Sequence, residues 1–387
     1  MLGKVMENNS RVTILDIARK VGCARTTVVN VLNPQQRKRY SPKTRENVLK
    51  VAEDIGYQSA LMAKVIKKPL KHIGFVGSGI VGIDVPFMRE ILSGIEQTAD
   101  EENYYLMVSR PSKEISNDLN LLTQEEAQKT KKLLNLVSSK ILDGLIIDKS
   151  RFVYSQMESL YKAKVPCVFI NGQVPTDSSV SSRPIYGQMY WVSIDHEHGG
   201  RVATKYLLRH GHRRIAILTP NISQYPPNYG AHMLYDRAEG YKAALKEEGI
   251  EPDSSLFLEC FLTDRTTILD AVDKLLKLPQ PPTALFAADD TIAVLAMNYL
   301  YRKGVRIPED ISVVGYGNLP AAFMAVPKLT TVNVPWAQMG KFGAKILISL
   351  LKGEKVNQCI NILKPVLLEG ASVTEQNGVN NKINQKG

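Results

Sequence analysis

The chain has 387 residues, 44% apolar and 22% charged, with a net charge of +11. That length predicts two or three domains, and the ordinary apolar content excludes a largely disordered chain. Four scattered cysteines (Cys23, Cys167, Cys260, Cys359) without any C-x-x-C pair exclude a disulfide framework or zinc site. The lack of an apolar run near about 20 residues excludes a membrane span, and residues 1–11 carry no secretory signal, so a cytoplasmic location is expected. Residues 1–71 hold fifteen Lys and Arg against five acids, which is +10 of the whole.

In chain order, Ile14, Ile17, Ala18 and Val21 fall at helical spacing, with Thr13 as N-cap, Asp16 completing a capping box and Gly22 ending the helix. A second stripe, Val28, Val31 and Leu32, follows closely and stops at Asn33-Pro34. Ser41-Pro42, a cap followed by proline at the first helical position, opens a third helix striped by Val48, Val51, Ala52 and Ile55. Two short helices joined by a tight glycine turn form a helix-turn-helix, in which the second helix lies in the major groove of DNA. Its outward residues here are Ala24, Arg25, Thr26, Val29 and Asn30, and Arg37, Lys38 and Arg39 crowd the following loop. The concentrated positive charge points to a polyanionic partner, because neutralised phosphates release counterions.

From His72 onward, short β-rich runs alternate with helical stripes. Strands are predicted over 72–77, 104–109, 143–148, 166–170, 214–218, 283–287 and 311–316. Helices are predicted over 86–101, 124–140, 154–163, 198–209, 236–248, 266–277, 290–303 and 336–351. This alternation predicts an α/β architecture of doubly wound parallel sheets. Gly77 to Gly82 reads G-x-G-x-x-G directly after a strand, the fingerprint of dinucleotide binding, so a nucleotide-dependent oxidoreductase is the competing function. Against it, Pro86 is the better helix start, and the strand that should end in a ribose-binding acid ends Val108-Ser109-Arg110. No catalytic constellation, metal site or cofactor site is expected: His196 and His198 lack zinc-helix spacing, and His210 and His212 frame a turn.

The runs VTILDIARKVGCARTTVVNVLN and SPKTRENVLKVAEDIGYQSALMAKVI resemble the DNA-binding headpiece and hinge of the lactose/galactose repressor (LacI/GalR) family of transcription regulators. The resemblance continues through GHRRIAIL, DRAEGYKAAL, PTALFAADDTIAVLAM, IPEDISVVGYGN and LTTVNVP, and so covers most of the chain. It implies a helix-turn-helix domain at 1–59, a hinge helix at 60–71, and an effector-binding and dimerisation domain at 72–373, with a polar, disordered tail at 374–387. The large domain would consist of two subdomains of periplasmic-binding-protein type, with the chain crossing between them near 195, 320 and 352.

By matching position, Arg25, Thr26 and Asn30 would read bases, while Thr13, Asn33 and Ser41 would lie near phosphates, supported by Lys38 and Arg39. Ile66 would occupy the place of a minor-groove wedge. Family members often have Arg where Asn30 stands, so an A·T pair is expected opposite it. In the effector cleft the matching positions are Asn171, Arg237, Asp289 and Asn318. Asn171 and Gly317 stand where carboxylates are usual, which favours a more anionic ligand than a neutral sugar; the competing view is that Asn318 or Asp290 takes over. The expected function is a ligand-responsive repressor, not an enzyme, binding double-stranded operator DNA as a homodimer under a small-molecule effector, possibly a carbohydrate. The tail has no leucine heptads for a coiled-coil tetramer.

Overall fold

A computed structural model describes residues 13–32, 36, 39–54, 71–77, 86–109, 131–148, 154–174, 188–221, 232–261 and 264–376. The chain divides into two compact units, Met1–Leu70 and Lys71–Gly387. Among the described residues no helix is long and apolar enough to cross a membrane.

The first unit holds α1 (Ile14–Val21), α2 (Arg25–Leu32) and α3 (Pro42–Asp54). Its core is the predicted set of stripes: Ile17, Ala18, Val28, Val31, Val48 and Ala52 are buried, with Ile14, Val21, Leu32, Tyr40 and Val51 packed around them. Asp16 accepts hydrogen bonds from the Thr13 backbone N–H (2.8 Å) and hydroxyl (2.7 Å), which satisfies the start of α1. Gly22, at φ 70°, ends it in the left-handed conformation that costs glycine nothing.

The second unit runs β1 (Lys71–Val76), α4 (Pro86–Glu101), β2 (Tyr104–Ser109), β3 (Gly144–Asp148), α5 (Tyr154–Lys162), β4 (Cys167–Ile170), β5 (Tyr190–Ile194) and α6 (His196–Arg209). It continues through β6 (Ile215–Pro220), α7 (His232–Glu247), β7 (Phe257–Cys260), α8 (Arg265–Leu276), β8 (Ala284–Ala287), α9 (Asp290–Arg302), β9 (Ser312–Gly317) and α10 (Pro320–Met324). The last elements are β10 (Thr330–Asn333), α11 (Trp336–Leu351), β11 (Ile360–Leu363) and β12 (Val366–Leu368). The central strands β3, β4, β6, β8 and β9 are buried along their whole length, as parallel strands covered on both faces must be.

Two six-stranded sheets repeat one plan. The first has the order β11-β5-β4-β3-β1-β2 and the second β12-β10-β9-β8-β6-β7. All pairs are parallel except β12 on β10. In each sheet the winding reverses between the first strand and the third, the place where open α/β sheets bind ligands beyond their strand carboxyl ends. Each half also has one tight helix pair. A Cβ at Gly94 of α4 would overlap the Ala337 carbonyl of α11, and one at Gly240 of α7 would overlap the Glu197 carbonyl of α6.

Among the described residues the chain passes between the halves three times. The first passage is at Asp195, between β5 and α6; the second and third fall at 334–335 and 364–365, not near 320 and 352. The reason is β10 and β11. β10 follows the 320 region yet adds to the second sheet, and β11 follows 352 yet pairs with β5 in the first. The tail boundary also moves. Residues 374–376 belong to the folded body, since Gln376 N–H donates to His210 O (2.7 Å) and His212 Nε2 donates to Thr374 O (3.1 Å). His212 therefore accepts from the Thr283 hydroxyl through Nδ1 (3.0 Å), and burial lowers its pKa to about 4.

Candidate functional site

On the first unit, Arg25 and Thr26 open α2 and are exposed, Val29 is exposed beside them, and Asn30 is half-buried in the last turn. Asn30 is not free-standing: its Nδ2 donates to the Tyr40 hydroxyl at 2.9 Å. Thr13 commits its hydroxyl proton to Asp16, and hydrogen bonding from Thr13 holds that carboxylate below its usual pKa. Ser41 accepts from Thr44 N–H (3.2 Å) as the cap of α3, and Arg39 is exposed. Asn33, Lys38 and Ile66, with the hinge at 60–70, lie outside the described residues. So does the glycine run beyond Gly77. Helix α4 begins at Pro86, outside that run, whereas a dinucleotide site needs the helix to open within it.

In the second unit, Asn171, Asp289 and Asn318 follow the carboxyl ends of β4, β8 and β9, and Arg237 lies on α7. Asn171, at the end of β4, has φ 53° and is buried; its Nδ2 lies 3.5 Å from Asp148 Oδ1 at the end of β3. Arg237 reaches from α7 to donate through Nη1 to Ala288 O, just beyond β8, at 2.6 Å. Asp289 caps α9 by accepting from Thr291 N–H (2.7 Å). Asn318, just after β9, has φ 53° and donates through Nδ2 to Asn333 Oδ1 at 3.1 Å.

Three residues around these, His196, Tyr316 and Trp336, were not singled out as site residues from sequence, and Asp290 entered only as an alternative in the cleft. His196, at the start of α6, shares a 2.8 Å hydrogen bond with the Tyr316 hydroxyl of β9. The Arg237 guanidinium lies 4.1 Å from the Tyr316 ring centroid, a cation–π contact. Trp336, opening α11, packs 6.0 Å from the His196 ring and 4.9 Å from Phe87. Burial, followed by the charge of Arg237, holds the His196 pKa well below the ordinary histidine value, so the ring is neutral. Asp290 is fully buried; its Oδ1 accepts from the Thr331 hydroxyl (2.6 Å) and its Oδ2 from Leu319 N–H (2.7 Å), fixing the turn that carries Asn318. Burial pushes this carboxyl up to about 6. Glycine at 315 was the available signal for Asp290, because a Cβ there would collide with the carboxylate.

Among the described residues, four buried side-chain polar atoms have no hydrogen-bond partner: Arg45 Nε, Asn171 Oδ1, Arg237 Nε and Trp336 Nε1. An unmade buried hydrogen bond costs about 1–3 kcal/mol, and three of the four atoms belong to the second unit, where Asn171 follows β4, Arg237 lies on α7 and Trp336 opens α11. Two of the three are donors, one of them cationic, and the third is an acceptor. Among the described residues there is no group of three His, Cys, Asp or Glu that could hold a metal ion.

Residues 13–59 match the family described as bacterial regulatory proteins, lacI family, and residues 204–373 match a periplasmic binding protein-like domain. The HTH-type transcriptional repressor PurR of Vibrio atlanticus is 28% identical over 367 residues, covering 94% of this chain and 99% of the relative. A solved structure of the transcriptional regulator CelR with cellobiose superposes with a TM-score of 0.61 at 25% identity, covering 94% of this chain and 100% of that one. The lac repressor dimer bound to operator and an anti-inducer gives 0.64 at 22% identity, covering 94% and 100%.

Proposed function

We propose that this chain, whose residues 13–59 match the lacI family of bacterial regulatory proteins and whose residues 204–373 match a periplasmic binding protein-like domain, is a ligand-responsive transcriptional repressor that binds operator DNA as a homodimer through α2, under control of an anionic small molecule in the cleft of its second unit. The observation that carries the ligand reading is the set of unpaired atoms: Arg237 Nε, Trp336 Nε1 and Asn171 Oδ1. A sugar acid or phosphorylated sugar supplies acceptors for the guanidinium and the indole and a hydroxyl for Asn171. Asp289 and Asn318 line the same carboxyl edges, each already tied once within the protein, and contribute their remaining lone pairs and N–H. Arg25, Thr26 and Asn30 face bases in this reading, with Arg39 and Ser41 beside the phosphates.

The homodimer reading is supported by two exposed apolar stretches, Tyr105, Met107 and Val108 on the edge strand β2, and Phe323, Met324 and Val326 at the end of α10. An uncovered edge strand and exposed large apolar residues favour association. Control follows from population shift: a ligand with different affinity for open and closed clefts moves the halves about the three crossing segments and so changes DNA affinity reciprocally.

The test is titration of the full chain with gluconate, galacturonate and glucose 6-phosphate against glucose and galactose, read by calorimetry and by fluorescence of Trp191 and Trp336. Binding of at least one anionic compound, abolished by Arg237→Ala with basal DNA binding retained, is expected. Binding of neutral sugars alone, or undiminished affinity in the variant, refutes the ligand class or the role of Arg237 respectively.

A further inference from the structure

We propose that Tyr40 is a positioning residue for base reading: its hydroxyl holds the Asn30 amide in one place and so sharpens the sequence preference of α2. The proposal rests on the reading of α2 as the recognition helix. Asn30 sits in the last turn of α2, and Tyr40 is ten residues later, immediately before the Ser41 cap of α3. The Tyr40 ring packs against the core formed by Ile17, Ala18, Val28, Val31, Val48 and Ala52. A packed ring is a stiff arm, so its hydroxyl is a fixed point in the headpiece. Asn30 Nδ2 donates to that hydroxyl at 2.9 Å.

An asparagine amide offers two N–H donors and one carbonyl oxygen. With one N–H spent on Tyr40, a single N–H and the oxygen remain, the pair that complements N7 and N6–H of adenine. An exposed asparagine without an anchor samples several rotamers and loses conformational freedom when it docks; the bond to Tyr40 takes part of that loss during folding. The hydroxyl would therefore act on discrimination at one base pair without touching the base. Arg25 and Thr26, at the exposed start of α2, have no such anchor among the hydrogen bonds of the described residues.

The experiment is selection of binding sites from random duplex DNA by the full chain in four forms: unaltered, Asn30→Ala, Tyr40→Phe and the double variant. Phenylalanine keeps the packed ring, and affinity for non-specific duplex with its salt dependence checks that each headpiece is folded. The expected result is that Tyr40→Phe lowers preference at one symmetric base pair by about three- to tenfold per half-site, leaves every other position unchanged, and adds nothing in the Asn30→Ala background. If Asn30→Ala flattens that position while Tyr40→Phe selects as the unaltered chain does, the positioning role is overturned and the reading role of Asn30 stands. If Asn30→Ala enriches the same bases as the unaltered chain, both fall. Uniform loss of affinity for all sequences with Tyr40→Phe also overturns the proposal, because the hydroxyl then serves the DNA backbone or the fold.

Discussion

Replacing Asp290 separates the hydrogen bonds that hold the cleft turn from the cost of burying their acceptor. Its carboxylate is the shared acceptor for Leu319 N–H and the Thr331 hydroxyl. Asp290→Ala leaves both donors unpaired in the interior, at about 1–3 kcal/mol each. The unaltered chain carries an opposing cost. A carboxyl whose pKa rises from 3.8 unfolded to about 6 folded binds its proton more tightly in the folded state, so stability is highest below about pH 4 and falls as pH rises to 6. At 1.36 kcal/mol per unit that loss is about 3 kcal/mol. Asp290→Ala is therefore expected to destabilise by about 2–6 kcal/mol at low pH and by about 3 kcal/mol less than that at pH 7. Asp290→Asn retains an oxygen for Leu319 and an N–H toward the Thr331 oxygen, so it should flatten the pH dependence while keeping stability at pH 7. Denaturant unfolding between pH 4 and 7, followed by tryptophan fluorescence, measures this, since Trp191 and Trp336 both belong to the second unit. An alanine penalty independent of pH, or an unchanged slope in the Asn variant, refutes the reasoning.

Gly240→Ala places a methyl against the Glu197 carbonyl between two stiff helices, so a loss of about 1–3 kcal/mol is expected, and a change under about 0.5 kcal/mol in denaturant midpoint measurements contradicts the close crossing. Asp236 is pushed up to about 6 by burial and then by Glu197; Asp236→Asn should stabilise the second unit by about 1–2 kcal/mol at pH 7, after discount for solvent screening, and by almost nothing below about pH 3, where the aspartate is protonated in both states. A stabilisation equal at both pH values refutes the titration. Arg39→Ala should weaken binding to all DNA sequences alike and reduce the slope of log affinity against log salt by about one unit, measured by fluorescence anisotropy; an unchanged slope removes Arg39 from the phosphate contacts.

The sequence by itself determined those features that depend on neighbours along the chain. Thr13 with Asp16, Gly22, and Ser41 with Pro42 mark the headpiece helices because caps and turns act within a few residues. The start of α4 at Pro86 and the whole-length apolar runs of β3, β4, β6, β8 and β9 were legible for the same reason. β7, β11 and β12 were not, because they are short, half-exposed edge strands whose alternation spans too few residues to register. β10, reading Thr-Thr-Val-Asn, owes its buried place to its neighbours, and with β11 it decides where the chain crosses between halves. α7 begins at His232, before the expected 236, because nothing local stops the helix there. The partners of side chains were decided only in three dimensions. Asn30 on Tyr40, His196 on Tyr316 and Asp290 on Thr331 join residues 10, 120 and 41 positions apart. A periodicity carries no information about such pairs, since it reports which face of an element is apolar and not what lies opposite. The unpaired atoms of Asn171, Arg237 and Trp336 are the extreme case: a polar atom's lack of a partner is a property of everything packed around it, and so only the folded chain displays it.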